Sequence, residues 1–147
     1  MNLYAKKMME IASQLQKAGS LSDANMAILL TLLSGDGKDF EKQLLKTGAV
    51  GEAEFLEMKA EKANLSSINL ANYHPDMAVL KKITPSQSWL WRAVPLFESE
   101  GKLTIACANP FDVCAIDQIK REISPKIVVL VALNSDIEAA LNKYYGP

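Results

Sequence analysis

The sequence has few of the residues from which enzyme and metal sites are built. Its 147 residues include one histidine, His74, and two cysteines, Cys107 and Cys114. A metal cluster or a Cys/His pair would have to form around a single imidazole, and two cysteines alone make no disulfide framework. We therefore expect buried free thiols, no catalytic residue, no metal site and no cofactor.

The chain also lacks an excess of charge and any long hydrophobic run. The sequence has sixteen Lys and Arg residues and seventeen Asp and Glu residues, which gives a net charge of -1. A nucleic-acid binder normally shows a basic face, and a membrane-spanning helix needs about 20 apolar residues, far more than 27–30 or 127–133 provide. With no secretion signal visible, the sequence predicts a cytoplasmic protein without nucleic-acid binding or membrane insertion.

A phosphate-binding loop is missing as well. The segment Gly35-Asp36-Gly37-Lys38-Asp39 has a lysine after a glycine, but no earlier glycine stands at the required spacing, and an acid replaces the Ser or Thr that binds magnesium. The segment is typical of a turn between helices. We expect that the chain neither hydrolyses nor appreciably binds ATP.

An internal repeat organises the first part of the chain. Residues 14–21 recur as residues 43–50, with four identities. In each copy an amphipathic segment ends at a glycine, Gly19 or Gly48, and a second helix follows an N-cap residue. Each copy therefore predicts a helix, a tight turn and a helix. Acidic residues alternate with lysines over 52–62, which is typical of a solvated helix surface.

The second part of the chain changes to strand periodicity. We expect helices at 76–82, 84–91, 112–122 and 135–145, and strands at 93–97, 102–108 and 126–133. Pro95 restricts the first strand to a sheet edge, and the β-branched run at 126–133 predicts a strand buried on both faces. Thr84 and Gln87 predict a capping box, and Ser135 predicts the cap of the last helix.

These patterns predict an α+β protein with two parts. A helical subdomain of two helix-turn-helix repeats, 1–63, is followed by a crossing linker, 64–75. A small ββαβα subdomain, 76–147, then carries a three-stranded mixed sheet with the second and third strands parallel.

Trp89 and Trp91, next to Arg92, are residue types enriched in interface hot spots. Two residues apart on a helix, their rings point about 200° from each other, so both cannot face one core. Two interpretations follow: one tryptophan contacts a partner, or both tryptophans pack in the core of the fold.

Several segments of the second part resemble a known family. They are Leu103-Thr104-Ile105-Ala106-Cys107-Ala108-Asn109-Pro110-Phe111-Asp112, Ala115-Ile116-Asp117, Ile137-Glu138-Ala139-Ala140-Leu141 and Tyr144-Tyr145-Gly146. The sequence resembles the N-terminal domain of type II secretion and type IV pilus assembly ATPases, the GspE/PilB/MshE N-terminal domain family. In that family the domain begins with two copies of a motif, which correspond here to 10–33 and 39–62.

The resemblance implies a non-catalytic adaptor that docks the ATPase motor to the cytoplasmic domain of an inner-membrane platform protein. The module would then lie in the cytoplasm, peripheral to the bacterial inner membrane, and the ATPase would be a later domain absent from this chain. The alternatives are a cyclic di-GMP sensing domain and a free-standing regulatory domain of the same fold. Our candidates for partner contact are apolar residues of the first helix and the two tryptophans: Leu3, Tyr4, Met8, Ile11, Leu15, Trp89 and Trp91.

The resemblance also implies how the ligand motif has changed. Family motifs that bind cyclic di-GMP open with Arg-Leu-Gly, whereas the matching residues here are Glu10-Ile11-Ala12 and Asp39-Phe40-Glu41. Acids replace both arginines, and side chains replace both glycines. We therefore expect cyclic di-GMP to bind weakly or not at all.

Overall fold

The computed structural model describes residues 2–34 and 39–146 and divides into two compact units, Met1–Lys62 and Ala63–Pro147. The interpretation of Gly35–Lys38 as an inter-helix turn lies outside the described residues. Residues 64–75, expected as a crossing linker, belong to the second unit, where Leu70 is part of the core.

The described residues of the first unit form four helices: α1 Leu3–Lys17, α2 Asp23–Leu32, α3 Phe40–Lys46 and α4 Glu52–Ala63. The side chains of Asn2 and Ser22 accept hydrogen bonds from backbone N–H groups in the first turns of α1 and α2. Both residues therefore act as N-caps, as predicted for Ser22. The buried side chains include Met8, Ile11, Leu29, Phe40, Leu44 and Phe55.

The two repeat turns have the predicted left-handed glycines. Gly19 has φ +81° and Gly48 has φ +75°. After α1 the N–H of Ser20 donates to Leu15 O at 2.9 Å and that of Gly19 to Gln16 O at 3.0 Å, which together make a Schellman motif. Both helix-turn-helix copies are confirmed.

The second unit contains four strands, four α-helices and a 3₁₀ turn at Leu70–Asn72 within its described residues. The strands are β1 Ser66–Ser67, β2 Ala93–Ser99, β3 Lys102–Cys107 and β4 Ile127–Val131. The helices are α5 Met77–Leu80, α6 Pro85–Trp91, α7 Val113–Glu122 and α8 Asn134–Tyr145.

The sheet has the order β1-β4-β3-β2. β2 pairs antiparallel with β3, while β4 lies parallel to both β3 and β1. The α+β class, the edge position of Pro95 and the parallel β3–β4 pair are confirmed. The expected three-stranded sheet is wrong by one strand, because Ser66 and Ser67 form a two-residue strand too short to show a period in the sequence.

The β2–β3 hairpin is tighter than the sequence suggested. Ser99 pairs with Lys102, which leaves Glu100 and Gly101 as a two-residue turn with φ of 54° and 77°. Positive φ at both central positions defines a type I′ turn, whose twist matches that of the flanking strands.

Hydrophobic clusters lie on both faces of the sheet. One contains Ile137, Ala140 and Leu141 of α8, and the other contains Ile119 of α7. Successive β3 residues alternate between them, since Ile105 belongs to the second cluster and Ala106 to the first. Helices therefore cover the sheet on both sides.

Three local predictions need correction. β4 is not buried on both faces, since Val128 is exposed. Leu133 occupies the N-cap of α8 without a side-chain hydrogen bond, so Ser135 lies inside the helix instead of capping it. Cys107 is buried but Cys114 is exposed, because position 114 lies on the outer side of α7. The Thr84–Gln87 capping box is present as predicted.

Candidate functional site

The start of the first repeat copy combines an acid with two core residues. Ile11 and Ala12 are fully buried in the helical unit. Glu10 is half-buried, with Lys7 Nζ at 3.6 Å and Lys62 Nζ at 4.0 Å from its carboxylate oxygens. Glu10, the residue that the resemblance matches to the motif arginine, thus lies between two lysines.

Beside Glu10 lies a cleft of about 280 Å³ lined by Met9, Glu10, Ser13, Gln14, Lys17 and Lys62. Its two lysines would attract an anion, and Glu10 offsets part of that charge. The cleft is lined by α1 and the end of α4, and all of its residues belong to the helical unit.

The start of the second copy differs from the first. Asp39 is exposed and makes no side-chain capping hydrogen bond to α3, whereas Phe40 is fully buried. Glu41 is buried and accepts a hydrogen bond from Lys59 Nζ at 3.0 Å. Glu41, which the resemblance matches to the motif glycine, is therefore a buried carboxylate in an ion pair.

Sequence reasoning missed this ion pair because Lys59 was assigned to a solvated helix surface. The sequence did contain a signal that Lys59 is buried. Lys59 lies three residues after Leu56 and one before Ala60, and these residues and Phe55 are all buried. Such spacing places Lys59 on the apolar stripe of α4.

The candidate partner residues of α1 are split between core and surface. Met8, Ile11 and Leu15 are buried in the helical unit. Leu3 is exposed and Tyr4 is half-buried. Among these α1 candidates, Leu3 and Tyr4 in the first turn are therefore the ones with surface accessible to a partner.

A larger apolar surface, which the sequence analysis did not single out, lies on α2. Ile28 is 57% exposed, and Leu30, which points about 200° away from it around the helix, is also exposed. Ala24, Ala27 and Thr31 share the outward side with Ile28 at helical spacing and are exposed too. No charged residue occurs from Ala24 to Leu33. We call this surface the α2 face; the signal for it was the run without charged residues from Ala24 to Leu33.

Both tryptophans are anchored within the α/β unit. Trp89 packs against the cluster that contains α8, and its indole Nε1 donates to Gly146 O at 3.0 Å. Trp91 is buried in the other cluster and donates to Gln118 Oε1 at 2.9 Å. Leu90, between them, is 74% exposed.

The remaining polar groups of the α/β unit include His74 and Tyr145. His74 is exposed beside a cleft of about 210 Å³ that also includes Tyr73, Asp136, Lys143 and Tyr144. Nowhere in residues 2–34 and 39–146 are three His, Cys, Asp or Glu side chains grouped to hold a metal ion. Burial raises the pKa of the Tyr145 phenol, and the Ser88 hydroxyl acts in the opposite direction.

The family model of the MshEN domain matches residues 63–147, more than half of the chain. The chain therefore belongs to the MshEN domain family. The match lies on the α/β unit and, at its first residue, the end of α4.

Two solved structures share the fold of almost the whole chain. A structure of MshE with cyclic di-GMP covers 91% of this chain and 97% of its own length, with a TM-score of 0.69 and 21% identity. The N-terminal domain of XpsE covers 99% of this chain and 99% of its own, also with a TM-score of 0.69 and 21% identity. These likenesses confirm a helical part followed by a mixed sheet with helices.

A curated relative is the type IV pilus assembly ATPase PilB of Myxococcus xanthus, which is 24% identical over 103 residues. The match takes in 70% of this chain but only 18% of PilB. The resemblance to N-terminal domains of secretion and pilus ATPases is thus confirmed. Among the helices of the described residues, none has the length and apolar character that crossing a membrane requires.

Proposed function

We propose that this chain is a non-catalytic adaptor module of a bacterial type II secretion or type IV pilus ATPase. It docks the motor to the cytoplasmic domain of an inner-membrane platform protein and lies in the cytoplasm, peripheral to that membrane through its partner. Support comes from the shared fold with N-terminal domains of such ATPases and from the lack of a phosphate-binding loop in the sequence.

The α2 face is the observation that carries the proposal. A helix with this many large apolar side chains normally buries most of them, yet α2 buries only Met26 and Leu29 within its own bounds. Covering one large aliphatic side chain contributes about 1.5–3 kcal/mol. Ile28 therefore supplies the large aliphatic side chain for the centre of a docking contact, with Leu3 of α1 as a further candidate.

The docking surface can be tested with charged substitutions at one exposed position in each unit. Ile28→Glu should weaken binding to the platform's cytoplasmic domain by at least about 30-fold, which corresponds to about 2 kcal/mol. Leu90→Glu is the matched control, since Leu90 is equally apolar and more exposed but lies in the α/β unit. Binding is measured by calorimetric titration, after circular dichroism has shown that both variants fold.

Two outcomes would contradict the docking proposal. One is undiminished binding by Ile28→Glu, and the other is an equal loss in Leu90→Glu. Either would remove the α2 face from the contact.

Cyclic di-GMP sensing is the second candidate, and the shared fold with MshE, whose structure contains this ligand, favours it. The charges of the helical unit oppose it. A carboxylate about 5 Å from a ligand phosphate costs about 3 kcal/mol at an effective dielectric of about 20, and Glu10 and Asp39 stand at both motif starts. We expect no binding in the low-micromolar range.

A free-standing regulator of the same fold is the third candidate. It differs from the adaptor in whether an ATPase domain follows in the same protein. The reading frame beyond residue 147 distinguishes the two. An isolated chain of this sequence should give no phosphate release from ATP above buffer.

A further inference from the structure

The helical unit contains an ion pair that is almost completely removed from water. The side chain of Lys59 is 0% exposed and that of Glu41 is 3% exposed, with 3.0 Å between Nζ and Oε2. Lys59 Nζ also lies 5.9 Å from the centroid of the Phe55 ring. The pair joins α3 to α4 inside the apolar core of the unit.

Such a pair is a costly way to join two helices. Both charges lose their hydration, and apolar residues of similar volume often give equal or greater stability. The cost indicates a contribution other than stability. A charge-assisted hydrogen bond has a preferred distance and direction, whereas apolar surfaces can slide against each other with little change in energy.

The first repeat copy shows that the helix-turn-helix does not require the pair. At the offset of 29 residues, the positions of Glu41 and Lys59 correspond to Ala12 and Leu30. Ala12 is buried and Leu30 is exposed, so the first copy has neither charge and does not bury its second position. The ion pair is therefore a special feature of the second copy.

We infer that the Glu41–Lys59 pair is a positioning device that fixes how α3 is seated on α4. The second copy is held in one arrangement by its own side chains. This inference concerns the helical unit alone and does not rest on the docking proposal.

The test compares the full chain with the double variant Glu41→Leu/Lys59→Met, which replaces the pair by apolar side chains of similar length. We expect this variant to fold but to give doubled or broadened amide signals for α3 and α4. Hydrogen exchange in α3 should be at least tenfold faster than in the original chain, with α1 unchanged. Lys82→Met is the matched control, because it removes the exposed 2.8 Å pair with Glu98 in the other unit.

A single set of signals with unchanged exchange in α3 would overturn the inference, as would an equal effect of Lys82→Met. If the double apolar variant does not fold, the variant Glu41→Lys/Lys59→Glu, in which the two charges are swapped, provides the test. The hydrogen-exchange rate in α3 of this variant should be within threefold of that in the original chain, while Lys59→Glu alone should not fold. Failure of the exchanged pair to restore protection would also overturn the inference.

Discussion

Lys59 illustrates how residue type can mislead where spacing does not. Lysine is almost never fully buried unless it is paired, so its charge suggested a solvated face. Its position between Leu56 and Ala60 on α4 nevertheless placed it in the core, where Glu41 neutralises it. Spacing could predict that Lys59 is buried, but not which acid it meets, because that depends on how α3 packs on α4.

At the same scale, Tyr145 should make the α/β unit sensitive to alkaline pH. Its hydroxyl donates to Leu80 O at 2.7 Å, and burial raises the pKa of the phenol above its ordinary value of 10.0. The neutral form is favoured in the folded state, so this stability is fully present below pH 10 and lost as pH rises through the folded pKa. The Tyr145→Phe variant should therefore lose less stability than the original chain as pH rises above 10.

Tryptophan fluorescence is the suitable measurement, since both tryptophans of the chain lie in the α/β unit. At pH 7 the variant should differ from the original chain by the lost hydrogen bond alone, about 1 kcal/mol. An identical pH dependence of denaturant unfolding in both proteins would show that Tyr145 does not titrate with folding.

At the scale of elements, the two repeat copies share the geometry of their turns but differ in which side of the second helix is buried. Both turns use a left-handed glycine, but in the second the Thr47 hydroxyl accepts from Ala49 N–H and donates to Leu44 O. The buried faces of the second helices also differ, since Leu30 is exposed and the corresponding Lys59 is buried. The repeat could therefore predict helix-turn-helix geometry, but not which side of α2 or α4 is covered.

The first turn provides a direct test of its glycine. A Cβ at Gly19 would meet nothing within 4 Å, so the effect of substitution comes from the backbone at φ +81°. Gly19→Ala should destabilise the helical unit by about 1–2 kcal/mol, and Gly19→Asn by less, because asparagine tolerates the left-handed conformation. Denaturant unfolding followed by far-ultraviolet circular dichroism measures both. A smaller loss for alanine than for asparagine would refute this explanation.

The elements predicted best were those with local signals. The capping box at Thr84 and the helix that follows, to Trp91, are seen as expected. β1 could not be predicted because Ser66 and Ser67 have no strand pattern, and they pair with β4 only through the tertiary fold. The start of α8 was misplaced because its N-cap, Leu133, has no side chain that can cap.

At the scale of the whole molecule, the family membership is established by the α/β unit, whereas the proposed function depends on the helical unit. The family model matches residues 63–147, whereas the α2 face and both motif starts lie in the helical unit. Membership of the family therefore does not decide whether the helical unit docks a protein or binds a nucleotide. The charges at Glu10 and Asp39 and the exposed Ile28 favour docking.

The most direct test of this account is a calorimetric titration of the full chain with the platform's cytoplasmic domain, with and without excess cyclic di-GMP. We predict that the affinity is the same in both titrations and that the nucleotide alone gives no binding heat. Platform binding that requires cyclic di-GMP would contradict the account. So would low-micromolar binding of the nucleotide by the chain alone.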